Sequence, residues 1–364
     1  MRTTRSTRSS RSTLMALALA AGLAGAACTG AQDPLAPVPS SMPVSPTSTE
    51  APTTTEAPTT TVAPTTTDAP TTTEPAPTTT EPGPTTTEPA PTTTAPQVEE
   101  PSAPAAVADD STTGVPAGTA LAPSGSLTIS EAGTVLDGLD IEGCVTVLAD
   151  NVVIIRSRIT CSGGEAVVSQ SSGSGLRIED SELRGGATRA NAGVWSSGPY
   201  TLLRSDISNV RDGAFVTGGS VIEGNWIHDL SQSSGDHNDL LQMVGGNGVV
   251  IRGNRLEHVR DQTAAIMIKS DLAPIDDVLI EGNLLAGGSY SLYVMAGNAA
   301  FGGCCGAPTN VRVVGNTIKA GSYLYGQLMV MGSNTVSCNH LDTGEPATVV
   351  DSDKGTNPKQ NSCP

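Results

Sequence analysis

Residues 249–256 read VVIRGNRL, in which an apolar run is followed by Arg252, Gly253, Asn254, Arg255 and a final apolar Leu256. The pattern recurs from residue 154 to residue 341 as an apolar pair, one or two polar or small residues, Ser or Asn, and an apolar residue shortly after. Its Ser or Asn position falls at Ser157, Ser181, Ser205, Asn225, Asn254, Asn283, Asn316 and Asn339. Neighbouring positions lie 20 to 33 residues apart, so the pattern is an internal repeat.

Each repeat contains only short β-branched runs and Gly-rich turns, which leaves no room for a packed helix. Strands of about four to six residues fit this spacing. Such a repeat buries its apolar face only by stacking on its neighbours, which predicts a parallel β-solenoid. Equivalent Asn residues then lie about 4.8 Å apart and hydrogen-bond in a ladder. We therefore interpret the Asn series as structural.

On these repeats the chain resembles the right-handed parallel β-helix proteins of the pectate-lyase-like superfold. The resemblance covers about residues 121–341, and it implies an all-β, right-handed parallel β-helix of about eight to ten turns. This superfold carries lyases, glycosidases, epimerases, phage tailspikes and non-catalytic surface proteins, so function has to be argued from the site.

The N-terminus is typical of a bacterial export signal. Four arginines within the first eleven residues precede an apolar run at residues 14–27, which is too short to span a bilayer. We predict a signal peptide at residues 1–27. Cys28 follows three small residues, which suit either ordinary cleavage or lipid attachment to Cys28.

Residues 28–117 have the composition of a disordered linker. Pro-Thr-Thr-Thr occurs seven times between residues 52 and 94, with almost no apolar surface to bury. We predict that this stalk, or a lipid anchor, links the β-helix at residues 118–341 to the cell envelope. The protein is thus expected to be extracellular or held at the cell surface, with residues 342–364 as a C-terminal tail.

The cysteines agree with export. Cys144 and Cys161 are separated by nearly one turn, so a disulfide between them is expected, and a bond between Cys338 and Cys363 would hold the tail. The adjacent Cys304 and Cys305 can form a vicinal bridge inside their loop. No Cys/His spacing matches a zinc site.

A polar row predicts a candidate site. The second strand of each turn carries small polar residues early in the coil, but Gln242, Lys269 and Tyr293 on three consecutive turns. We expect these three side chains to project side by side from one face. The same turns have the longest intervals, so inserted loops should form the walls of a groove.

Cleavage of an acidic polysaccharide by β-elimination suits this row. The reaction needs a base, a group that neutralises the substrate carboxylate, and an acid for the leaving oxygen. Lys269 is the candidate base because a neighbouring Arg260 would lower its pKa. Tyr293 is the candidate acid, and His237 and Gln242 are candidates to hold the carboxylate. The strand IMIKSD also resembles the Lys-Ser strand of β-helix lyases that act on alginate and dermatan, with Tyr293 in the place of their Arg.

Other candidates surround the row. Asp239, Arg260 and Tyr290 are predicted substrate contacts, and Asp236 with Asp239 are possible calcium ligands. The strand HNDLLQ resembles that of polygalacturonase-type glycosidases in outline, without their paired carboxylates.

Each of these candidate residues also has a purely structural interpretation. Lys269 suits a solvated strand position, and His237 with Asp239 suits a local turn network. Trp195, Phe215 and Trp226 are expected to pack in the core or in turns rather than to stack on sugars.

The charge balance limits the partners. The net charge is −17, and from Gly118 onward 25 acidic residues face 15 basic ones, which excludes nucleic acid as an expected partner. We predict a monomeric, exported polysaccharide-active protein that acts as a lyase of uronate-containing polysaccharide. The alternative is a non-catalytic glycan-binding or adhesin β-helix, and the sequence leaves open whether the protein is an enzyme.

Overall fold

The computed structural model describes residues 107–298, 303–351 and 359–363. The predicted signal peptide, Cys28 and most of the predicted linker lie outside these residues. The described residues form 27 β-strands and no helix, so no helix in this part of the chain is long and apolar enough to cross a membrane. Strands pair in parallel with their counterparts one turn away. The predicted parallel β-helix is confirmed.

The described part of the coil has nine turns, and each turn contributes a strand to each of three faces. The first face is the nine-stranded sheet of β2 (Val135–Asp137), β4 (Val153–Ile155), β7 (Leu176–Glu179), β10 (Tyr200–Leu203), β13 (Val221–Glu223), β16 (Gly246–Arg252), β19 (Ile275–Glu281), β22 (Thr309–Val314) and β25 (Thr335–Ser337).

The other two faces belong to one continuous sheet. The second face comprises β3 (Leu139–Val147), β5 (Arg158–Cys161), β8 (Glu182–Gly185), β11 (Asp206–Ser208), β14 (Trp226–Ile227), β17 (Arg255–Glu257), β20 (Leu284–Ala286), β23 (Thr317–Ile318) and β26 (His340–Leu341). The third face comprises the end of β3, β6 (Val168–Gln170), β9 (Ala192–Ser196), β12 (Asp212–Phe215), β15 (Asp239–Met243), β18 (Ala264–Lys269), β21 (Tyr290–Met295), β24 (Gly326–Val330) and β27 (Val349–Val350). β1 (Ala122–Ile129) runs along β3 at the N-terminal end.

Columns of aliphatic side chains fill the centre of the coil. On the second face, for example, Ile227, Leu256 and Leu285 stack in register and are fully buried. The corresponding column of the third face contains Leu241 and Ile266, also fully buried. Stacking therefore buries apolar surface that a single turn would leave exposed to water.

The bend between the first and second faces explains the repeat. The residue before each ladder position has a positive φ, which is 64° at Gly253 and 63° at Gly282, and glycine adopts such a φ without strain. The next residue, Asn254, donates its backbone N–H and its Nδ2 to Oδ1 of Asn283 at 3.0 and 2.9 Å. Asn283 bonds Asn316 in the same way. The predicted Asn ladder is confirmed.

The two ends of the coil are tied to it. The N–H of Gly114 bonds the carbonyl oxygen of Arg204, so part of the segment before β1 lies on the helix. At the other end Asn361 adds a rung, because its Oδ1 accepts the N–H of Asn339 at 3.0 Å. The ninth turn also includes β27, which lies within the segment assigned to the tail from the sequence.

Three disulfides are present among the described residues. They join Cys144 to Cys161, Cys304 to Cys305 and Cys338 to Cys363. All three predicted pairings are confirmed.

Replacing Asn283 by Ala should destabilise the coil strongly. The side chain accepts two hydrogen bonds from Asn254 and donates two, and all of these groups are buried. At about 1–3 kcal/mol for each buried group left unsatisfied, we expect the free energy of unfolding to fall by about 3 kcal/mol or more. The measurement is the guanidinium chloride midpoint. The control is Asn247→Ala, an exposed Asn on β16 whose side chain makes no hydrogen bond to another described residue, and its effect should stay within about 0.5 kcal/mol.

Candidate functional site

The third face carries a row of large side chains on its outer surface. Trp195, Phe215, Gln242, Met267, Tyr293 and Met329 occupy one register position on six consecutive turns, and we call them the outer row. None of them belongs to the core cluster, which contains flanking residues such as Leu241 and Met243; Trp195, Phe215, Gln242 and Tyr293 are half-buried, whereas Met267 and Met329 are buried. The row therefore runs along the outside of the coil, with a step of about 4.8 Å per turn.

The predicted row of Gln242, Lys269 and Tyr293 is corrected by this register. Met267, not Lys269, lies between Gln242 and Tyr293. Lys269 is two residues further along β18 and pairs with Met295. Alternate strand residues share a face, so Lys269 still points outward, but it is displaced from the row. The connections between the second and third faces differ in length from turn to turn, and the sequence does not reveal which residues they place in register.

Lys269 already has an anionic partner. Its Nζ lies 2.8 Å from Oδ2 of Asp271, and only 18% of the side chain is exposed. Asp271 is itself fixed, because its Oδ1 accepts the N–H of Asn298 and its carbonyl oxygen accepts the N–H of Cys304. The predicted base is thus an ammonium group held in an ion pair beside the vicinal disulfide.

Arg260 and His237 lie apart from Lys269. Arg260 precedes β18 and donates Nε to the carbonyl oxygen of Tyr323 at 2.8 Å, whereas Lys269 ends that strand, which spans roughly 16 Å. The prediction that Arg260 neighbours Lys269 is therefore wrong. His237 is exposed in the loop before β15 and makes no hydrogen bond to any other described residue.

Two carboxyl groups lie together at the start of the third-face strands. Asp212 in β12 and Asp239 in β15 lie on adjacent turns, each two residues before the paired Ala214 and Leu241, and the N–H of Asp239 bonds Oδ1 of Asp212 at 3.1 Å. Asp212 is 2% exposed and Asp239 1%. We call these two residues the carboxyl pair.

Burial changes the protonation of the carboxyl pair. It raises the pKa of Asp212 to about 6, against the opposing charge of Arg211. Burial also raises the pKa of Asp239 well above its usual range, and the neighbouring charge of Asp212 raises it further. Asp239 Oδ1 has no hydrogen-bond partner in the described part of the chain. The pair therefore retains a proton at a pH where ordinary carboxyl groups are ionised.

Arginines flank the carboxyl pair on one side. Arg211 Nη1 lies 3.0 Å from Asp212 Oδ2, and its Nε lies 3.8 Å from Asp236 Oδ1. Asp236 also pairs with Arg189, whose charge helps to keep the pKa of Asp236 low although burial acts against it.

Among the described residues, no three acidic, imidazole or thiol groups gather closely enough to hold a metal ion. The geometry thus gives no support to Asp236 and Asp239 as calcium ligands.

Three tyrosines cluster on the third face, and one of them is within electrostatic reach of the carboxyl pair. Burial raises the pKa of Tyr293 to about 12, and Tyr290 and Asp239 add smaller effects, so Tyr293 lies within electrostatic reach of Asp239. Tyr290 meets Tyr293 edge-on at 5.2 Å between ring centroids, and Tyr325 lies 6.4 Å from Tyr290. Tyr293 therefore remains a neutral hydroxyl donor.

Most of the chain's few aromatic residues gather on or beside this face. The chain has two Trp, two Phe and five Tyr, and five of these nine are Trp195, Phe215, Tyr290, Tyr293 and Tyr325. Trp195 and Phe215, which were expected to pack in the core or in turns, lie instead half-buried at strand positions of the outer row.

Asp212 was not predicted as a site residue, although the sequence contains a pattern that indicates it. The stretches RDGAFV and NDLLQM both place Asp just before an apolar strand, three residues ahead of the outer-row members Phe215 and Gln242. An alignment of the turns on Asp rather than on Gln242 and Lys269 would have found the pair. Chemically, two adjacent carboxyl groups with raised pKa values can divide the roles of acid and base.

No protein-family profile matches the chain, and no curated protein sequence matches it. Solved structures with a similar fold include the catalytic domain of a GH87 alpha-1,3-glucanase in complex with nigerose, at 14% identity and a TM-score of 0.22. The match covers 67% of this chain, which spans 59% of that domain. A variant of the domain with nigerose matches at 14% identity and a TM-score of 0.25, over 71% of this chain and 70% of the other. At these identities and TM-scores the likeness carries no conclusion about this chain.

Proposed function

We propose that this chain is an exported polysaccharide-active β-helix protein that hydrolyses glycosidic bonds at the carboxyl pair. The observation that carries the proposal is the placement of Asp212 and Asp239 on adjacent turns, at the starts of strands that carry the outer row, where both carboxyl groups have raised pKa values. Glycoside hydrolysis needs one carboxylic acid to protonate the leaving oxygen and one carboxylate to act as nucleophile or base.

The surroundings assign the two roles. Asp239 is the more deeply buried and its side chain has no ion pair among the described residues, so it is the protonated acid. Asp212 has Arg211 Nη1 at 3.0 Å, which favours its ionised form, so it is the carboxylate. Adjacent turns of a β-helix are about 4.8 Å apart. This spacing is close to the separation of about 5 Å that accompanies a retaining mechanism.

The outer row supplies the binding surface. A glycan that runs along the coil can rest the apolar faces of its sugar rings on Trp195, Phe215 and Tyr293. Tyr293 lies within electrostatic reach of Asp239, so a sugar bound on this part of the outer row lies near the strand starts that carry the carboxyl pair. The predicted substrate contacts Gln242, Asp239 and Tyr290 keep this role in the proposal.

Hydrolysis fits this geometry better than the β-elimination suggested by the sequence. Elimination needs a base that is free to reach the substrate, whereas Nζ of Lys269 is already paired with Asp271 at 2.8 Å. Arg189, Arg211 and Lys269 are each paired with a carboxylate, so they offer no free positive charge to a uronate. The exposed Arg260 is the remaining predicted cation for such a substrate.

Burial of the carboxyl pair favours a second candidate function. With 1–2% exposure, the pair is closed to a substrate in this conformation. Asn238, the residue before β15, donates Nδ2 to the carbonyl oxygen of Arg211, so the loop before β15 is fastened to the start of β12. Catalysis requires this loop to open. If it does not open, the outer row serves a non-catalytic glycan-binding protein and the pair is structural.

Export is supported by the chemistry of the cysteines. Disulfides persist in oxidising compartments and are rare in the cytosol. The described residues contain three, two of which fasten the ends of the coil. A location outside the cell, with the N-terminal stalk or Cys28 as the link to the envelope, therefore remains the proposal.

The test is digestion of a panel of neutral and uronate-containing polysaccharides with the purified full chain. Reducing ends and the absorbance of unsaturated uronates are followed together. New reducing ends without absorbance support hydrolysis, and this signal should be lost in Asp239→Asn but kept in Lys269→Ala. Absorbance that is lost in Lys269→Ala would establish the lyase instead. Glycan binding without any product would establish the binding protein.

A further inference from the structure

A separate cavity lies on the second face, where β14 and β17 meet the loops that follow them. It encloses about 410 Å³, within the range typical of small-molecule sites. Trp226, His228, Asp229, Glu257 and His258 supply its polar lining, and Leu230 and Val259 supply aliphatic surface. None of these residues belongs to the outer row or to the carboxyl pair.

The side-chain donors of Trp226 and His228 are already engaged. Trp226 donates Nε1 to Glu257 Oε2 at 3.1 Å. His228 directs Nδ1 at Asp229 Oδ2, 2.8 Å away, and Nε2 at Asp206 Oδ1, 3.4 Å away. Burial lowers the pKa of His228, but these two carboxylates outweigh burial and raise it. Nε2 is buried and makes an ion-pair contact with Asp206 rather than a hydrogen bond, so both ring nitrogens face carboxylates rather than the cavity.

His258, in contrast, contributes a hydrogen-bond acceptor. Its Nε2 lies 3.2 Å from the carbonyl oxygen of Asn238, and a carbonyl only accepts, so Nε2 carries the proton. Burial lowers the pKa of His258 to about 4, so the ring is neutral at neutral pH. In a neutral imidazole the other nitrogen, Nδ1, is a bare acceptor.

Three acceptors are left for a ligand. Glu257 uses Oε2 for Trp226 and for Arg255 Nε at 2.8 Å, which leaves Oε1 without a hydrogen bond to a described residue. Asp229 uses Oδ2 for His228, and its side chain is 88% exposed. Together with His258 Nδ1, these atoms give a cavity whose side chains accept but do not donate. Counting Asp206, Asp229 and Glu257 against His228 and Arg255, the surroundings also carry a net negative charge.

We infer that this cavity binds the protonated amine of an amino sugar, a hexosamine whose nitrogen is not acetylated. An ammonium group has three donors and no acceptor, which complements Glu257 Oε1, Asp229 Oδ1 and His258 Nδ1. An acetamido group brings a carbonyl oxygen that needs a donor, and a hydroxyl brings a single uncharged donor, so neither matches these three acceptors as an ammonium group does. The aliphatic surface of Leu230 and Val259 can pack on the carbon face of a sugar ring.

The volume favours an organic cation over a metal ion. A bare metal ion would need several ligands within about 2–2.6 Å, and the acid and imidazole groups of the described residues are not gathered that closely. A cavity of about 410 Å³ accommodates a sugar ring and part of its neighbour. Lysine side chains of a peptide carry the same ammonium chemistry, and the experiment separates them from an amino sugar.

Calorimetric titration of the purified full chain tests the inference. Glucosamine, glucose, N-acetylglucosamine and lysine amide are titrated at pH 6.5 in low salt. Glucosamine should bind at least tenfold more tightly than glucose and N-acetylglucosamine. Glu257→Gln and Asp229→Asn should each weaken glucosamine binding about tenfold or more, because each removes a charge-assisted hydrogen bond.

Glu281→Gln is the matched control. Glu281 lies in β19 on the first face, so its substitution removes the same charge away from the cavity. Equal binding of glucose and glucosamine, absence of glucosamine binding, or an equal loss in Glu281→Gln would overturn the inference. Tighter binding of lysine amide than of glucosamine would assign the cavity to peptides and would also overturn it. The outcome does not depend on catalysis at the carboxyl pair, because only binding is measured.

Discussion

Replacing Asp239 by Asn is expected to lower the rate of polysaccharide hydrolysis by about 10²- to 10⁴-fold. This is the usual range for removal of a general acid. Asn has the size and shape of a protonated Asp and can occupy the same buried site beside Asp212, but it cannot transfer a proton to the leaving oxygen. The loss should therefore appear in kcat while the fold is kept. The measurement is the initial rate of reducing-end release on the most reactive polysaccharide of the panel.

The pH profile distinguishes catalysis from a structural role. Activity should rise as Asp212 becomes ionised near pH 6 and should fall at higher pH as Asp239 loses its proton, with apparent values that belong to the pair. In Asp239→Asn the falling limb should disappear from the residual activity. A variant that keeps the wild-type rate, or the wild-type profile at a reduced rate, would remove Asp239 from the mechanism.

Asp271→Asn is the control for this experiment. It breaks the ion pair of Lys269 and leaves the carboxyl pair intact. Hydrolysis at Asp212 and Asp239 should proceed at nearly the wild-type rate. A large change in product formation in this variant would point to Lys269 as the reacting group.

The fold could be predicted from the sequence because the ladder is local. Gly253 and Asn254 are adjacent in the chain, and together they specify a left-handed bend and a rung of the ladder. Each turn repeats this information. The stacking of whole turns then follows from the need to bury the aliphatic column on each face.

The site was harder to predict because its register depends on the lengths of the loops between the strands, and the repeated pattern does not fix these lengths. Eleven residues separate β14 from β15, whereas three separate β20 from β21. Counting from the Asn ladder therefore does not show that Met267 lies beside Gln242 or that Asp212 lies beside Asp239. Polarity was also misleading. Lys269 was chosen because a charged residue is unusual in these strands, whereas the residues that approach one another are Asp212 and Asp239, which are buried at the starts of β12 and β15.

The carboxyl pair should make the chain less stable as the pH rises. For Asp212 the folded pKa of about 6 lies above its ordinary value of 3.8, so the folded state binds more protons than the unfolded state between these values. Its contribution to stability is complete below about pH 4 and is lost as the pH rises through 6. About two pKa units correspond to roughly 3 kcal/mol. Asp239, whose pKa is also raised, acts in the same direction.

Comparison of wild type with Asp212→Asn and Asp239→Asn at each pH isolates this effect. His228 also loses a stabilising proton at higher pH, and it is present in all three proteins, so it cancels. We expect each variant to gain stability relative to wild type between pH 4.5 and pH 8, by up to roughly 3 kcal/mol for Asp212→Asn. Guanidinium chloride midpoints measure the difference.

A constant difference across this range would mean that the carboxyl pair titrates normally, and the acid and base roles proposed for it would then lose their physical basis. If the gain is found together with the loss of activity in Asp239→Asn, burial of the pair is a cost in stability that serves the chemistry.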